Sequence, residues 1–204
     1  MRRMIRFAVV ASACVAWSTA AWAQSPIAPA EWNRCTTLNG FVGAAGDTSQ
    51  VGTAFGGAIA WDITPALAIE GAGSWIEYGH ETTGFAGNLK VRARMSGKRT
   101  VDPFVLGGIG LYRASFGPDD PAVPDFYRNR MTHTGTATIS HTFTDPTLVV
   151  GGGLNVFLTR HFAIRPDVEA AIVLHGGDSH VITTAAVHAV YHFESHPVTP
   201  ARRR

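Results

Sequence analysis

From Val51 to Asp62 the chain alternates with a period of two. Val51, Thr53, Phe55, Gly57, Ile59 and Trp61 take the odd positions, while Gly52, Ala54, Gly56, Ala58, Ala60 and Asp62 take the even ones. Successive side chains of a strand point to opposite faces, so this segment predicts a strand with one bulky face and one tiny face. From Leu67 the pattern repeats, with Leu67, Ile69 and Trp75 on one side and Ala68, Glu70, Ala72 and Ser74 on the other. In Asn88 to Ser96, Leu89, Val91, Ala93 and Met95 alternate with Asn88, Lys90, Arg92, Arg94 and Ser96, a run that no helical period fits. Residues 104–116, 147–159, 162–175 and 181–193 read similarly, and a weaker strand at 36–46 opens the series. Eight strands are predicted, several of them as long as the roughly nine to eleven tilted residues that cross a bilayer.

The separators order these strands. Asp62-Ile63-Thr64-Pro65, Gly97-Lys98-Arg99-Thr100 and Thr159-Arg160-His161 make short connections after the second, fourth and sixth strands. Gly79 to Gly87 and the longer Gly117 to Pro146 follow the third and fifth, while 47–50 and 176–180 are short. Short turns at one end and longer loops at the other are the mark of an up-and-down barrel in an outer membrane, with the short turns on the periplasmic side.

Two kinds of barrel share this period. A soluble, lipocalin-like barrel points its bulky apolar face inward around a ligand. A membrane barrel turns that face, here Phe55, Trp61, Trp75, Leu89, Val91, Leu154, Val156, Ile164 and Ile172, toward lipid. The opposite faces carry small residues and charges of both signs: Glu70, Lys90, Arg92, Arg94, Arg165, Asp167 and Glu169. Eight strands enclose only enough room for side chains, and opposite charges inside can pair, so the membrane reading fits this filling.

The N-terminus changes the compartment. Arg2, Arg3 and Arg6 precede an apolar stretch from Phe7 to Trp17 and the small-residue ending Ala21-Trp22-Ala23, the order of a secretory signal cleaved after Ala23. The alternatives are a single membrane helix or a lipoprotein signal through Cys14, and Gln24-Ser25-Pro26 and the short apolar region speak against them. Cleavage leaves Cys35 alone, so no intramolecular disulfide holds the exported chain. The 204 residues suffice for one domain, and 46% apolar content is too high for a disordered chain. The net charge of +2 belongs to the tips: removing Arg2, Arg3 and Arg6 leaves 14 basic against 15 acidic residues, and Arg202, Arg203 and Arg204 close the chain. No basic face for nucleic acid remains.

The Asn39-Gly40-Phe41-Val42-Gly43 opening, the segment from Asp102 to Tyr112 and the ending Val187-His188-Ala189-Val190-Tyr191-His192-Phe193, together with the signal, resemble the small bacterial outer-membrane β-barrel family. That family includes the transmembrane domain of outer membrane protein A and related surface antigens. The resemblance covers roughly 36–193, is one of fold, and carries no catalytic motif. It implies a last strand ending in an aromatic residue read by the barrel-assembly machinery, the place held by Phe193, with Tyr191 two residues before it. Glu194 to Arg204 follow that Phe, which departs from the pattern, and the chain stops short of the peptidoglycan-binding domain of longer relatives.

Small barrels of this kind include lipid A acyltransferases and deacylases, so polar groups near the loops need weighing. His133, Ser140 and His141 lie in the long loop, and His175, Asp178, Ser179 and His180 surround the last hairpin. A Ser and a His act as nucleophile and base only within hydrogen-bond reach, and His175 to His180 reads more simply as a polar hairpin tip. His188 and His192 share a strand face but lie roughly 13 Å apart, too far to chelate one ion. Gly107-Gly108-Ile109-Gly110 lacks the continuation of a phosphate loop and marks close strand approach instead.

The expectation is therefore an all-β, eight-stranded antiparallel up-and-down transmembrane barrel: signal peptide 1–23, periplasmic lead-in 24–35, barrel 36–193 and basic tail 194–204. Trp61, Trp75, Tyr78, Tyr112, Tyr191 and Phe193 are expected in interfacial girdles. The expected role is structural or surface-interacting, as a monomer contacting outer-membrane lipid, lipopolysaccharide and the assembly machinery, with no catalytic site, cofactor, metal or nucleic acid. A lipid A-modifying enzyme on the same barrel and a soluble periplasmic binding barrel are the alternatives.

Overall fold

In the computed structural model, residues 35–47, 50–79, 82–95, 100–116, 123–132, 142–159 and 161–194 are described. The expected signal peptide, most of the lead-in and most of the tail lie outside them. Eight strands follow one another: β1 (Cys35–Gly46), β2 (Val51–Asp62), β3 (Leu67–Gly79), β4 (Thr82–Arg94), β5 (Val101–Ser115), β6 (Thr142–Phe157), β7 (Phe162–His175) and β8 (Asp178–Glu194). Each pairs with the next, and β8 pairs antiparallel with β1 from Cys35↔Glu194 to Gly46↔Thr183, so the sheet closes and no edge is left open. Among the described residues the only helix is α1 (Asp125–Thr132), between β5 and β6.

The connections are short for local reasons. The Thr64 hydroxyl accepts the amides of Ala66 and Leu67, and the Thr159 hydroxyl accepts those of His161 and Phe162, so each tightens the turn that follows its strand. Gly176 and Gly177 have φ of 57° and 99°, the left-handed pair that a two-residue hairpin turn demands. Several expected boundaries shift, and β5 begins at Val101 rather than 104. Gly79 to Gly87 is not a loop, because β4 begins at Thr82 and pairs with β3 almost to its tip. β6 begins at Thr142, not 147, and 178–180 belong to β8. Ladder pairing carried these strands past the point where glycines and threonines blur the alternation. The loop asymmetry thus rests on one connection, 116–141, at the end opposite Cys35 and Glu194. That end is called the loop end below and its opposite the turn end.

The faces are as the alternation assigns them. Phe55, Trp61, Trp75, Leu89, Val91, Leu154 and Ile164 are exposed on the outer wall, whereas Glu70, Lys90, Arg92, Arg94, Arg165 and Asp167 are buried inside. On β5 the outward positions run Val101, Pro103, Val105, Gly107, Ile109 and Leu111 before Arg113. Ten steps of about 3.4 Å, tilted by roughly 40°, span about 26 Å of membrane normal, the height of an outer-membrane apolar band. Trp61, Phe162, Tyr191 and Phe193 gather on the outer wall at the turn end, where the register places Thr36 beside both Trp61 and Phe193 and Tyr191 beside Phe162. Tyr78 and Tyr112 do not join a girdle. Both occupy even, inward positions, Tyr112 is buried, and their hydroxyls meet at 3.4 Å inside the barrel. Strand parity outweighs the preference of tyrosine for an interface.

Candidate functional site

The lumen has two layers. Toward the turn end, the Glu70 carboxylate on β3 receives Lys90 and Arg92 of β4 at 3.1 and 3.0 Å and Arg165 of β7 at 2.8 Å. Lys90 reaches on to Glu169 at 2.7 Å, and Arg94 pairs with Asp62. Arg165 also donates to His188 Nδ1 at 2.9 Å, and His188 Nε2 donates to Asp167 at 3.1 Å. The Phe104 ring lies 5.7 Å from the guanidinium carbons of both Arg92 and Arg165. Lys90, Arg92, Arg94 and Arg165 thus meet Glu70, Glu169, Asp62 and Asp167, the condition under which buried charge is tolerated, and Asp102 is buried on the same inner wall.

Backbone space for these groups comes from the opposite strand. Across the ladders Lys90 stands opposite Gly108, Asn88 opposite Gly110, Glu169 opposite Gly151 and Asp167 opposite Gly153. A Cβ on Gly108 would come within 2.8 Å of Lys90 Cα, and one on Gly153 within 2.6 Å of Asp167 Cβ. The Gly-rich stretches that blur the strand pattern are therefore the complement of the charged side chains.

Toward the loop end the lining becomes apolar. Ala45, Ala54, Ala86 and Ala114 of four strands, with Ile76, Val173 and Ile182, form a bay filled by Phe116, Val123 and Tyr127. Tyr127, 2% exposed, comes from α1. The helix starts after Pro124, whose carbonyl accepts the amides of Tyr127 and Arg128. Asp125 in its first turn and Arg130 in its last complement the helix dipole. Burial, and then the charge of Asp145, push the Tyr127 phenol well above its ordinary range. Arg130, one turn on, pairs with buried Asp145 at 2.6 Å, its guanidinium 4.4 Å from the centre of the Phe143 ring. Between the two layers lies a cavity of about 40 Å³, lined in part by Asn88, Lys90, Tyr112, Glu169, Thr184 and His188.

The polar residues singled out from sequence scatter over this frame. His175 Nδ1 donates to Asp145 at 3.0 Å, whereas His180 Nε2 is 3.1 Å from Asp47 and its ring stacks on Phe126 at 5.6 Å. The two histidines thus serve different carboxylates, and Asp178 and Ser179 are exposed at the hairpin. His188 and His192 both face the lumen in separate settings, the latter beside Thr37 and Phe157. His133, Ser140 and His141 lie outside the described residues. Among the described residues no group of three His, Cys, Asp or Glu side chains is placed to hold a metal ion. Sequence reasoning missed Asp47, Tyr127, Arg130 and Asp145. Pro124-Asp125, followed by aromatic and basic residues three apart, was the available sign of the helix.

Residues 7–193 match the outer membrane protein β-barrel domain family. The crystal structure of the N-terminal β-barrel domain of Pseudomonas aeruginosa OprF superposes with a TM-score of 0.53 at 14% identity, over 78% of this chain and 97% of that one. The crystal structure of Neisserial surface protein A superposes with a TM-score of 0.57 at 9% identity, again over 78% and 97%. No curated protein matches the sequence. At these identities the two structures share the fold alone, and the match over most of the chain carries the assignment: the chain belongs to the outer-membrane β-barrel family.

Proposed function

We propose that this outer-membrane barrel is exported through its signal segment, inserts with the loop end outward, and serves as a structural, surface-contacting element of the envelope whose lumen neither reacts nor conducts. The observation that carries this reading is the filled interior: a layer of paired charges centred on Glu70 toward the turn end, and the loop end occupied by Tyr127. Paired charges across so narrow a lumen obstruct ions, and the apolar band of the outer wall, which ends before Glu77 on β3 and Arg113 on β5, fits lipid and lipopolysaccharide acyl chains. The test is fractionation of cells expressing the protein, with gel mobility compared before and after boiling and the N-terminus of the mature chain sequenced. A heat-modifiable outer-membrane band beginning at Gln24 is expected; protein in the soluble fraction would sink the reading.

One observation favours a second reading, a lipid A-modifying hydrolase on the same scaffold. His175 is half exposed while its Nδ1 is held by Asp145, the arrangement of a base with its orienting carboxylate. Altered lipid A mass in cells carrying the wild type, lost in His175→Ala, would establish it.

A further inference from the structure

Helix α1 has two faces. Asp125 and Arg128 pair at 3.5 Å on the exposed one, and Tyr127 and Arg130, also three residues apart, point into the barrel. The inward pair meets two built receptors. The tyrosine ring enters the bay walled by Ala45, Ala54, Ala86 and Ala114, and the guanidinium meets Asp145, itself only 3% exposed. Phe143 lies against both, at 5.5 Å from the Tyr127 ring and 4.4 Å from the guanidinium carbon of Arg130. Phe126 adds an outer contact by stacking on His180.

The receptors belong to the barrel wall and the ligands to an eight-residue helix. A helix this short does not hold its shape in water by itself, so it is folded by the mouth it fills. Nor is the fit complete: the buried Tyr127 hydroxyl has no hydrogen-bond partner, a deficit that a withdrawn helix does not suffer. With α1 withdrawn, the alanine bay and the Asp145 carboxylate remain on the inner wall of the loop end. Apolar walls beside a buried carboxylate, which His175 also contacts, favour an aromatic ring joined to a cation over an acidic group.

We propose that the loop-end mouth is a docking site for a protein segment presenting an aromatic and a basic side chain one helical turn apart, and that α1 is its built-in competitor. The inference rests on the reading of the loop end as the outward surface. The helix is then an autoinhibitory contact: a partner binds only as tightly as it outcompetes a tethered ligand, which holds a high effective concentration at the site.

The probe is a labelled peptide with the sequence of residues 123–132, added to the purified, detergent-solubilised protein. Wild type is expected not to bind it, because the site is filled. A variant with 123–132 replaced by a Gly-Ser linker is expected to bind it, at least tenfold more weakly when Asp145→Asn is added or when the peptide carries Arg130→Ala. A heat-modifiable linker variant that ignores the peptide, or binds a scrambled peptide equally, overturns the proposal. Should the linker variant not fold, trypsin cleavage after Arg128 and Arg130 in the whole chain decides. Tyr127→Ala and Asp145→Asn are expected to cleave at least tenfold faster than wild type, and equal rates overturn the proposal. Cleavage of purified protein combined with protection on intact cells would fault the outward orientation and leave the mouth's chemistry standing.

Discussion

Glu70 on β3 and Arg165 on β7, 95 residues apart in the chain, meet at 2.8 Å across the lumen with essentially no exposure on either side. Arg92 and Lys90 share the same carboxylate. Removing that one charge takes away the carboxylate that pairs with Arg92 and leaves Lys90 and Arg165 with Glu169 and Asp167 alone, and breaking a buried pair costs about 3–5 kcal/mol. Glu70→Gln is therefore expected to lower the unfolding midpoint in urea sharply, read by the loss of heat-modifiable mobility. A midpoint within error of wild type would show that the network contributes little to stability.

Val91 and Arg92 are neighbours on opposite faces, 50% and 2% exposed. An arginine on the lipid face costs about 2–4 kcal/mol near mid-membrane. Val91→Arg is expected to cut the amount of protein reaching the outer membrane, whereas Arg92→Ala still inserts and loses stability because one of the three cations on Glu70 is gone. Equal insertion of Val91→Arg and wild type would reverse the assigned faces.

Two glycines on the same barrel should respond oppositely to a single methyl group. A Cβ on Gly108 meets the backbone of the neighbouring strand at Lys90, while one on Gly73, on the outer wall, meets nothing within 4 Å. Gly108→Ala is expected to impair folding and Gly73→Ala to leave the urea midpoint within about 0.5 kcal/mol of wild type. Measuring both in lipid vesicles checks the register as well as the packing.

Conductance tests the filled lumen as a whole. In planar bilayers the purified protein is expected to show no sustained, reproducible channel, since the ionic layer and the Tyr127 bay block the path in series. A steady open level in most insertions would show that the two layers separate spontaneously.

The sequence by itself determined the strand count, the order of the strands and which face of each meets lipid. Period-two alternation is local, and Leu89-Lys90-Val91-Arg92 states its two faces without reference to the rest of the chain. The same segments placed Glu70, Lys90, Arg165 and Asp167 inside. Tertiary structure alone decided who pairs with whom, because Glu70 and Arg165 become neighbours only when the sheet closes. It decided the extent of β4 and β6 too, since Thr82 to Gly87 and Thr142 to Pro146 are held by ladders to β3 and β5 and not by their own propensities. Closure also explains the inward turn of Tyr78 and Tyr112, and the helix at 125–132 forms where a bay of alanines from four separate strands receives Tyr127. A pattern within ten residues records which side faces lipid, but a lumen is built from all eight strands at once, and its contacts exist only after the eighth has joined the first.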